Sequence, residues 1–310
     1  MQRQASTHSD PETAQLEAAL FAWLGRRGLL SGTAAREILS GGRTNRLWHV
    51  RPEQGDRVVK LYREQDGNPL FPNSHDLEAR ALRHLPAGLA PVLCDQLDTP
   101  FGPCLIYAYS PGESWVSDPA PIARALGRVH AAPVLTDLPN ASDGSAALRE
   151  QTLAILDQCD GGQRNRVRNA MPTGEVAPSR VAALLHGDPV PGNIIHDGDR
   201  VTFIDWQCPL IGDPAHDLGM FLSPAMQWIY RGQVLSPAER QLFLQSYPDP
   251  ETVRRSNALT PWHHWRMAAY CLWKMQRGAA EYGVGFQLEF AALESSARGA
   301  EGVTANDSEV

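Results

Sequence analysis

Long apolar runs are missing from this chain of 310 residues: no stretch of about 18 apolar residues occurs, so the sequence offers no membrane-spanning helix. Blocks of lysine and arginine are missing as well. The formal net charge is -7, and a nucleic-acid binder needs a cationic footprint to replace phosphate counterions, so no nucleic-acid partner is expected. Cysteine is scarce. The five residues Cys94, Cys104, Cys159, Cys208 and Cys271 are scattered, odd in number and without CxxC spacing. That argues against a disulfide framework or a zinc site and fits a cytoplasmic, reducing setting, with each thiol read as a buried small hydrophobe. No GxSxG elbow is found, so a serine hydrolase has no support. The stretch 1–10 has no apolar core behind its charge and reads as a frayed arm rather than a secretory signal.

What is present is the balance of a globular enzyme, 43% hydrophobic and 20% charged, in a chain long enough for two cores. Leu16, Ala19, Leu20, Trp23 and Leu24 recur at helical spacing over residues 11–30, and Gly28 can end that helix. The period then changes. Leu47–Val50 and Val58–Tyr62 read as strands of a hairpin around Pro52–Gly55. Ser74 can cap a helix to Leu85, and residues 91–97 and 104–109 read as further strands about the turn 98–102. Beyond Gly112 the pattern is helical at 122–130, 148–159, 237–246 and 262–282, with two short β segments at 194–195 and 201–204.

The densest chemical signal is His186-Gly187-Asp188-Pro189-Val190-Pro191-Gly192-Asn193, followed by Phe203-Ile204-Asp205-Trp206. Two prolines and two glycines make the first segment stiff and non-helical. It presents a carboxylate and a carboxamide, and the short hairpin after it returns a second carboxylate, Asp205, towards the loop. Phosphoryl transfer uses such a set: one carboxylate to take the acceptor proton, and an amide oxygen with a second carboxylate to hold Mg²⁺ on a triphosphate. The bland alternative is a polar turn with ordinary surface acids.

These residues, with Gly212-Asp213-Pro214-Ala215-His216-Asp217-Leu218, resemble the catalytic segment of the aminoglycoside phosphotransferase and choline kinase superfamily. The resemblance implies an α+β, protein-kinase-like fold of two lobes, a small mostly antiparallel β lobe and a larger helical one. It implies ATP and Mg²⁺ as cofactors, Asp188 as catalytic base, Asn193 and Asp205 on the metal, and His186 and Asp217 as supports of the catalytic loop. A kinase also needs a loop over the phosphates, a strand lysine and a helical glutamate. Ser40–Arg46, with Gly41, Gly42, Thr44 and Asn45, is similar to the family's phosphate loop, although a Gly-Gly pair also marks many turns. Lys60 and Glu78 stand in the family's order as an ion pair, where the alternative is a solvated strand lysine and a surface acid. Leu105–Gly112 resembles the hinge, so backbone groups near Tyr107 to Tyr109 would pair with adenine. His130, in Leu126-Gly127-Arg128-Val129-His130, is read as structural. The likeness covers roughly residues 35–285.

The implied organisation is an N-terminal arm and helix over 1–34, a nucleotide-binding part over 35–109, a helical part with the catalytic loop and acceptor site over 110–294, and a disordered tail over 295–310. ATP is expected between the second and third of these. The partner is a small-molecule hydroxyl acceptor. Tyr270 and Trp273 share a helical face and resemble the aromatic pair with which choline kinases hold a quaternary ammonium, or else they pack the core. Choline, ethanolamine or a thiamine-like alcohol is the favoured acceptor. Met220–Pro224 lacks the acid that choline kinases often carry there, and the acids Glu281, Glu289 and Glu294 form no obvious cluster for an aminoglycoside. An aminoglycoside enzyme and a catalytically silent nucleotide-binding module remain alternatives. A protein kinase is disfavoured: the loop reads HGD rather than HRD, and no DFG or APE occurs.

Overall fold

The computed structural model describes residues 11–31, 34–39, 44–63, 67–198 and 200–306. The arm 1–10 and the loop 40–43, with Gly41 and Gly42, lie outside the described residues. The chain divides into two compact units, one of Met1–Ser114 with Ile195–Cys208, the other of Trp115–Ile194 with Pro209–Val310.

The first unit begins with α1 (Pro11–Arg26), β1 (Ala35–Ile38), β2 (Arg46–Arg51) and β3 (Arg57–Leu61). It continues through α2 (His75–His84), β4 (Leu93–Thr99), β5 (Gly102–Ala108) and β6 (Glu113–Ser114). The five strands β1 to β5 form an antiparallel sheet in the order β1-β2-β3-β5-β4, with β3 near the middle. Side chains alternate along β3. Val59 and Leu61 join Trp48, Val50, Cys104 and Ile106 in a core closed by Leu20, Phe21 and Leu24 of α1. The same alternation turns Lys60 to the opposite face. There α2, capped by the Ser74 hydroxyl on the Leu77 N–H, buries Glu78, Ala79, Ala81 and Leu82.

The second unit contains α3 (Ala120–His130), α4 (Gly144–Leu156), α5 (Gly161–Asn169) and β7 (Ala183–Leu185). The chain then returns to the first unit as β8 (Ile194–Asp197), whose first residue belongs to the second unit, and β9 (Arg200–Phe203). The linear reading left this hairpin with the helical part. It belongs to the first unit because the Phe203 N–H donates to Leu89, the Ser74 N–H donates to the Gln207 carbonyl, and β6 pairs β8.

From residue 209 the second unit resumes with β10 (Leu210–Gly212), α6 (Ala215–Phe221), α7 (Pro224–Arg231), α8 (Pro237–Ser246), α9 (Pro250–Gln276) and α10 (Tyr282–Asn306). β10 pairs β7 antiparallel, Leu185 opposite Leu210. The reading of one helix over 262–282 is corrected at both ends. Asp249 caps Glu251 and Thr252, which starts α9 at Pro250, and the helix stops at Gln276 before Gly278. Every residue from Trp262 to Trp273 is buried, the mark of a helix surrounded by protein. The tail boundary at 295 is corrected too, since α10 continues to Asn306. Burial of Phe286, Phe290 and Leu293 anchors its first turns. α5, all polar but for Val167, gave no periodic signal; it is held where the Trp265 indole N–H donates to the Val167 carbonyl, 2.7 Å.

Candidate active site

In the first unit the site is built around a buried lysine. Lys60, 1% exposed, donates from Nζ to Glu78 Oε2 and to Asp205 Oδ1, each at 2.5 Å. Burial alone would push the ammonium's pKa down. The carboxylates of Asp205 and Glu78 outweigh that and hold it well above the ordinary lysine value. Burial pushes the Glu78 carboxyl up, against the pull of Lys60. The Tyr62 hydroxyl donates to the same Glu78 oxygen. Tyr62 was missed in the sequence, although it lies two residues past Lys60 in the same β-rich run and so faces the same way.

Asp205 reaches Lys60 through an uncommon backbone. Its φ is +65°, the left-handed region in which aspartate is among the few tolerated side chains. Trp206 pins the turn, fully buried, its indole N–H donating to the Phe203 carbonyl at 2.8 Å.

Other nucleotide-site candidates have partners within the protein. The Asn45 carboxamide is buried; it donates to Asn73 at 2.8 Å and Gln207 at 3.1 Å and accepts the Arg63 N–H at 3.2 Å. It ties together the segments that flank β2, β3, α2 and β9, and Thr44 beside it is partly buried. The Ala108 and Tyr109 N–H groups already donate to Val92 and Asp56. Of the backbone groups expected near Tyr107 to Tyr109, these two N–H groups are therefore engaged within the protein. Tyr107 is buried in β5, and the Tyr109 ring stacks on His49 with centroids 3.9 Å apart.

In the second unit the loop after β7 hangs on one carboxylate. Asp217, completely buried in the first turn of α6, accepts the His186 N–H at 2.7 Å and the Gly187 N–H at 3.0 Å. The His130 Nε2–H donates to it at 3.1 Å, and His130 Nδ1 meets the Tyr247 hydroxyl at 2.8 Å. Burial would raise the pKa of Asp217; the hydrogen bond from His130 and the surrounding imidazoles bring it below the ordinary value. Gly187 sits at φ +83°, a conformation that aims its N–H at Asp217 and suits glycine. Asp213 sets the start of α6 by accepting the Ala215 N–H at 2.9 Å while pairing with Arg255.

Within the loop the His186 imidazole Nδ1 accepts the Asp188 N–H at 3.2 Å. The Asn193 amide donates to the Asp188 carbonyl at 3.0 Å and to its carboxylate at 3.2 Å. A turn of 3₁₀ helix, Pro191–Asn193, produces this arrangement. Asp188 is only partly buried. The loop thus carries a carboxylate held at its backbone by two flanking side chains.

Among the described residues no group of three or more His, Cys, Asp or Glu could hold a metal ion by itself. The Asp205 carboxylate and the Asn193 carboxamide each offer the hard oxygen that Mg²⁺ takes when phosphates and waters complete its shell. No helix among the described residues is long and apolar enough to cross a membrane.

Tyr270 and Trp273 do not form an open cage. Both are buried, their rings 5.9 Å apart at 16°, with Tyr282 edge-on to Tyr270. The Arg277 guanidinium lies 4.3 Å from the Trp273 ring centroid, so the protein itself supplies the cation on that ring.

A kinase-like α+β enzyme is the class that this sheet, the buried lysine pair and the braced loop define. The chain belongs to the phosphotransferase enzyme family, which matches residues 35–255. Its fold is similar to that of a choline/ethanolamine kinase family protein from Mesorhizobium loti, with TM-score 0.62, 16% identity, and 91% of this chain and 94% of that one covered. An ethanolamine kinase from Plasmodium vivax is similar at TM-score 0.63 and 13% identity, covering 93% and 89%. A spectinomycin phosphotransferase solved with ADP and spectinomycin is similar at TM-score 0.52 and 13% identity, covering 90% and 96%. No curated protein matches the chain.

Proposed function

We propose that the chain is an ATP-dependent kinase that moves the γ-phosphoryl group to a hydroxyl of a small amino alcohol of the choline or ethanolamine type. The observation that carries this is the buried Lys60 held between Glu78 and Asp205, the arrangement a kinase needs to put one fixed positive charge on nucleotide phosphates. The ADP in the spectinomycin phosphotransferase, a protein of similar fold, supports an adenine nucleotide.

In this reading Asp188 accepts the acceptor's hydroxyl proton. The acceptor oxygen forms a bond to the γ-phosphorus while the bond to the β–γ bridging oxygen breaks, and ADP leaves. Lys60 stays protonated and neutralises phosphate charge, and Glu78 and Tyr62 fix its position. Asn193 and Asp205 would hold Mg²⁺, which when bound neutralises charge on the transferring group. Asp217 keeps the Asp188 loop in place through the His186 and Gly187 amides. Because Arg277 covers Trp273, an amine on the acceptor would be recognised by other groups than the 270/273 pair.

The test is ADP release with ATP and Mg²⁺ over choline, ethanolamine, thiamine and aminoglycosides. Turnover with an amino alcohol, abolished in Asp188→Ala, supports the proposal. Turnover with aminoglycosides alone would establish a resistance-type enzyme instead. Nucleotide binding without ADP release on any acceptor would make the chain a silent module.

A further inference from the structure

The second unit has a cavity of about 550 Å³ beside α8 and α9, within the range of small-molecule sites. Leu244, Val253 and Pro250 give it apolar walls, Arg240, Arg254 and Tyr247 stand among them, and the carboxamides of Gln241, Gln245 and Asn257 line it as well. Its lining contains two guanidiniums and no carboxylate. Arg254 pairs with Glu251. Arg240 is different: it is partly buried, and among the described residues its guanidinium is hydrogen-bonded to the Thr260 hydroxyl, at 3.5 Å, and to no carboxylate. Burial lowers its pKa, the sign of a charge short of a counter-ion. An open hollow with apolar walls, a carboxamide rim and a half-buried guanidinium suits an apolar ligand with an anionic end.

Tyr247 links this cavity to the loop 186–193. Its hydroxyl meets His130 at 2.8 Å, His130 donates to Asp217 at 3.1 Å, and Asp217 holds the His186 and Gly187 amides. A ligand that shifts the Tyr247 ring acts on a continuous hydrogen-bonded chain ending at the backbone beside Asp188.

We propose that this cavity is an effector site for a small apolar carboxylate, engaged by Arg240 and sensed by the catalytic loop through Tyr247, His130 and Asp217. The regulatory part rests on reading that loop as catalytic. Binding and amide exchange are measured without turnover, so their failure is distinguishable from a failure to release ADP.

Calorimetric titration of the full chain with octanoate, with 1-octanol and inorganic phosphate as controls, tests the site. Octanoate is expected to saturate one site and the controls none. Arg240→Met should weaken binding about tenfold or more, the worth of one charge-assisted contact. Leu244→Trp should fill the chamber and abolish binding. Octanoate should also slow hydrogen exchange at the His186 and Gly187 amides in the parent chain, but not in Tyr247→Phe, which still binds it. The proposal is overturned by any of three results: no saturable binding, equal binding by both Arg240→Met and Leu244→Trp, or loop amides that do not respond to bound octanoate.

Discussion

Lys60 Nζ and Asp205 Oδ1 stand 2.5 Å apart although 145 positions separate them in the chain. The hairpin that delivers Asp205 is folded into the first unit, and the left-handed turn at Asp205 points its carboxylate at β3. One cation therefore serves two acids, Glu78 buried and Asp205 35% exposed at its side chain. The exposed member is the one with room to turn to a ligand.

Removing the shared cation should cost more than either acid. Lys60→Met strands Glu78 in the interior, a loss on the order of 3–5 kcal/mol. In Lys60→Met/Glu78→Gln that loss should shrink, because the stranded charge is gone. Urea denaturation of the four proteins measures the coupling; strictly additive losses would contradict a shared buried pair.

Asp205 combines a functional carboxylate with a conformation few side chains accept. Asp205→Asn keeps tolerance of φ +65° and should lower stability little, whereas the β-branched Asp205→Val should cost a further ~1–3 kcal/mol of backbone strain. Thermal unfolding of the pair checks this. Calorimetry should show weaker Mg²⁺–nucleotide binding in both, and unchanged affinity would refute the metal role.

Asp217 gives a pH dependence with a definite sign. Its folded pKa is below the ordinary value of 3.8, so its contribution is present above that value and lost as pH falls through the folded pKa. In Asp217→Asn the acid limb of a stability–pH curve should be shallower. At neutral pH the variant should lose about 2 kcal/mol or more, because two buried amides lose a charged acceptor. An unchanged acid limb would exclude this role.

His216 acts in a higher window. Burial, with the Arg266 guanidinium beside it, lowers its pKa to about 3 from 6.5, despite Asp217 nearby. The unfolded chain then binds the proton first, so stability falls as pH drops below 6.5 and continues to fall towards 3. His216→Gln should flatten urea midpoints measured between pH 6.5 and 4. A parent protein whose His216 ring titrates near 6.5 by NMR would contradict the burial argument.

Asp188→Ala should abolish ADP release while changing the unfolding midpoint little, since the side chain is only partly buried and the Asn193 amide stands at 3.2 Å from its carboxylate. Near-normal turnover on an identified acceptor would show that another group takes the proton.

The residues themselves determined the local elements and the identity of the chemical groups. Alternation through Val58, Lys60 and Tyr62 sets a strand whose polar side chains share a face, Ser74 caps α2, and the proline- and glycine-rich 186–193 stretch can be nothing but a stiff loop. These are short-range effects of sterics and hydrogen bonding, so they are legible along the chain. The tertiary structure alone decided which unit owns the 195–208 hairpin, that Asn45 is engaged by Asn73 and Gln207, that Arg277 covers Trp273, and that Tyr247 joins His130 to Asp217. Each of these depends on partners tens of residues away or on which face of a helix is covered, and no local periodicity encodes that choice.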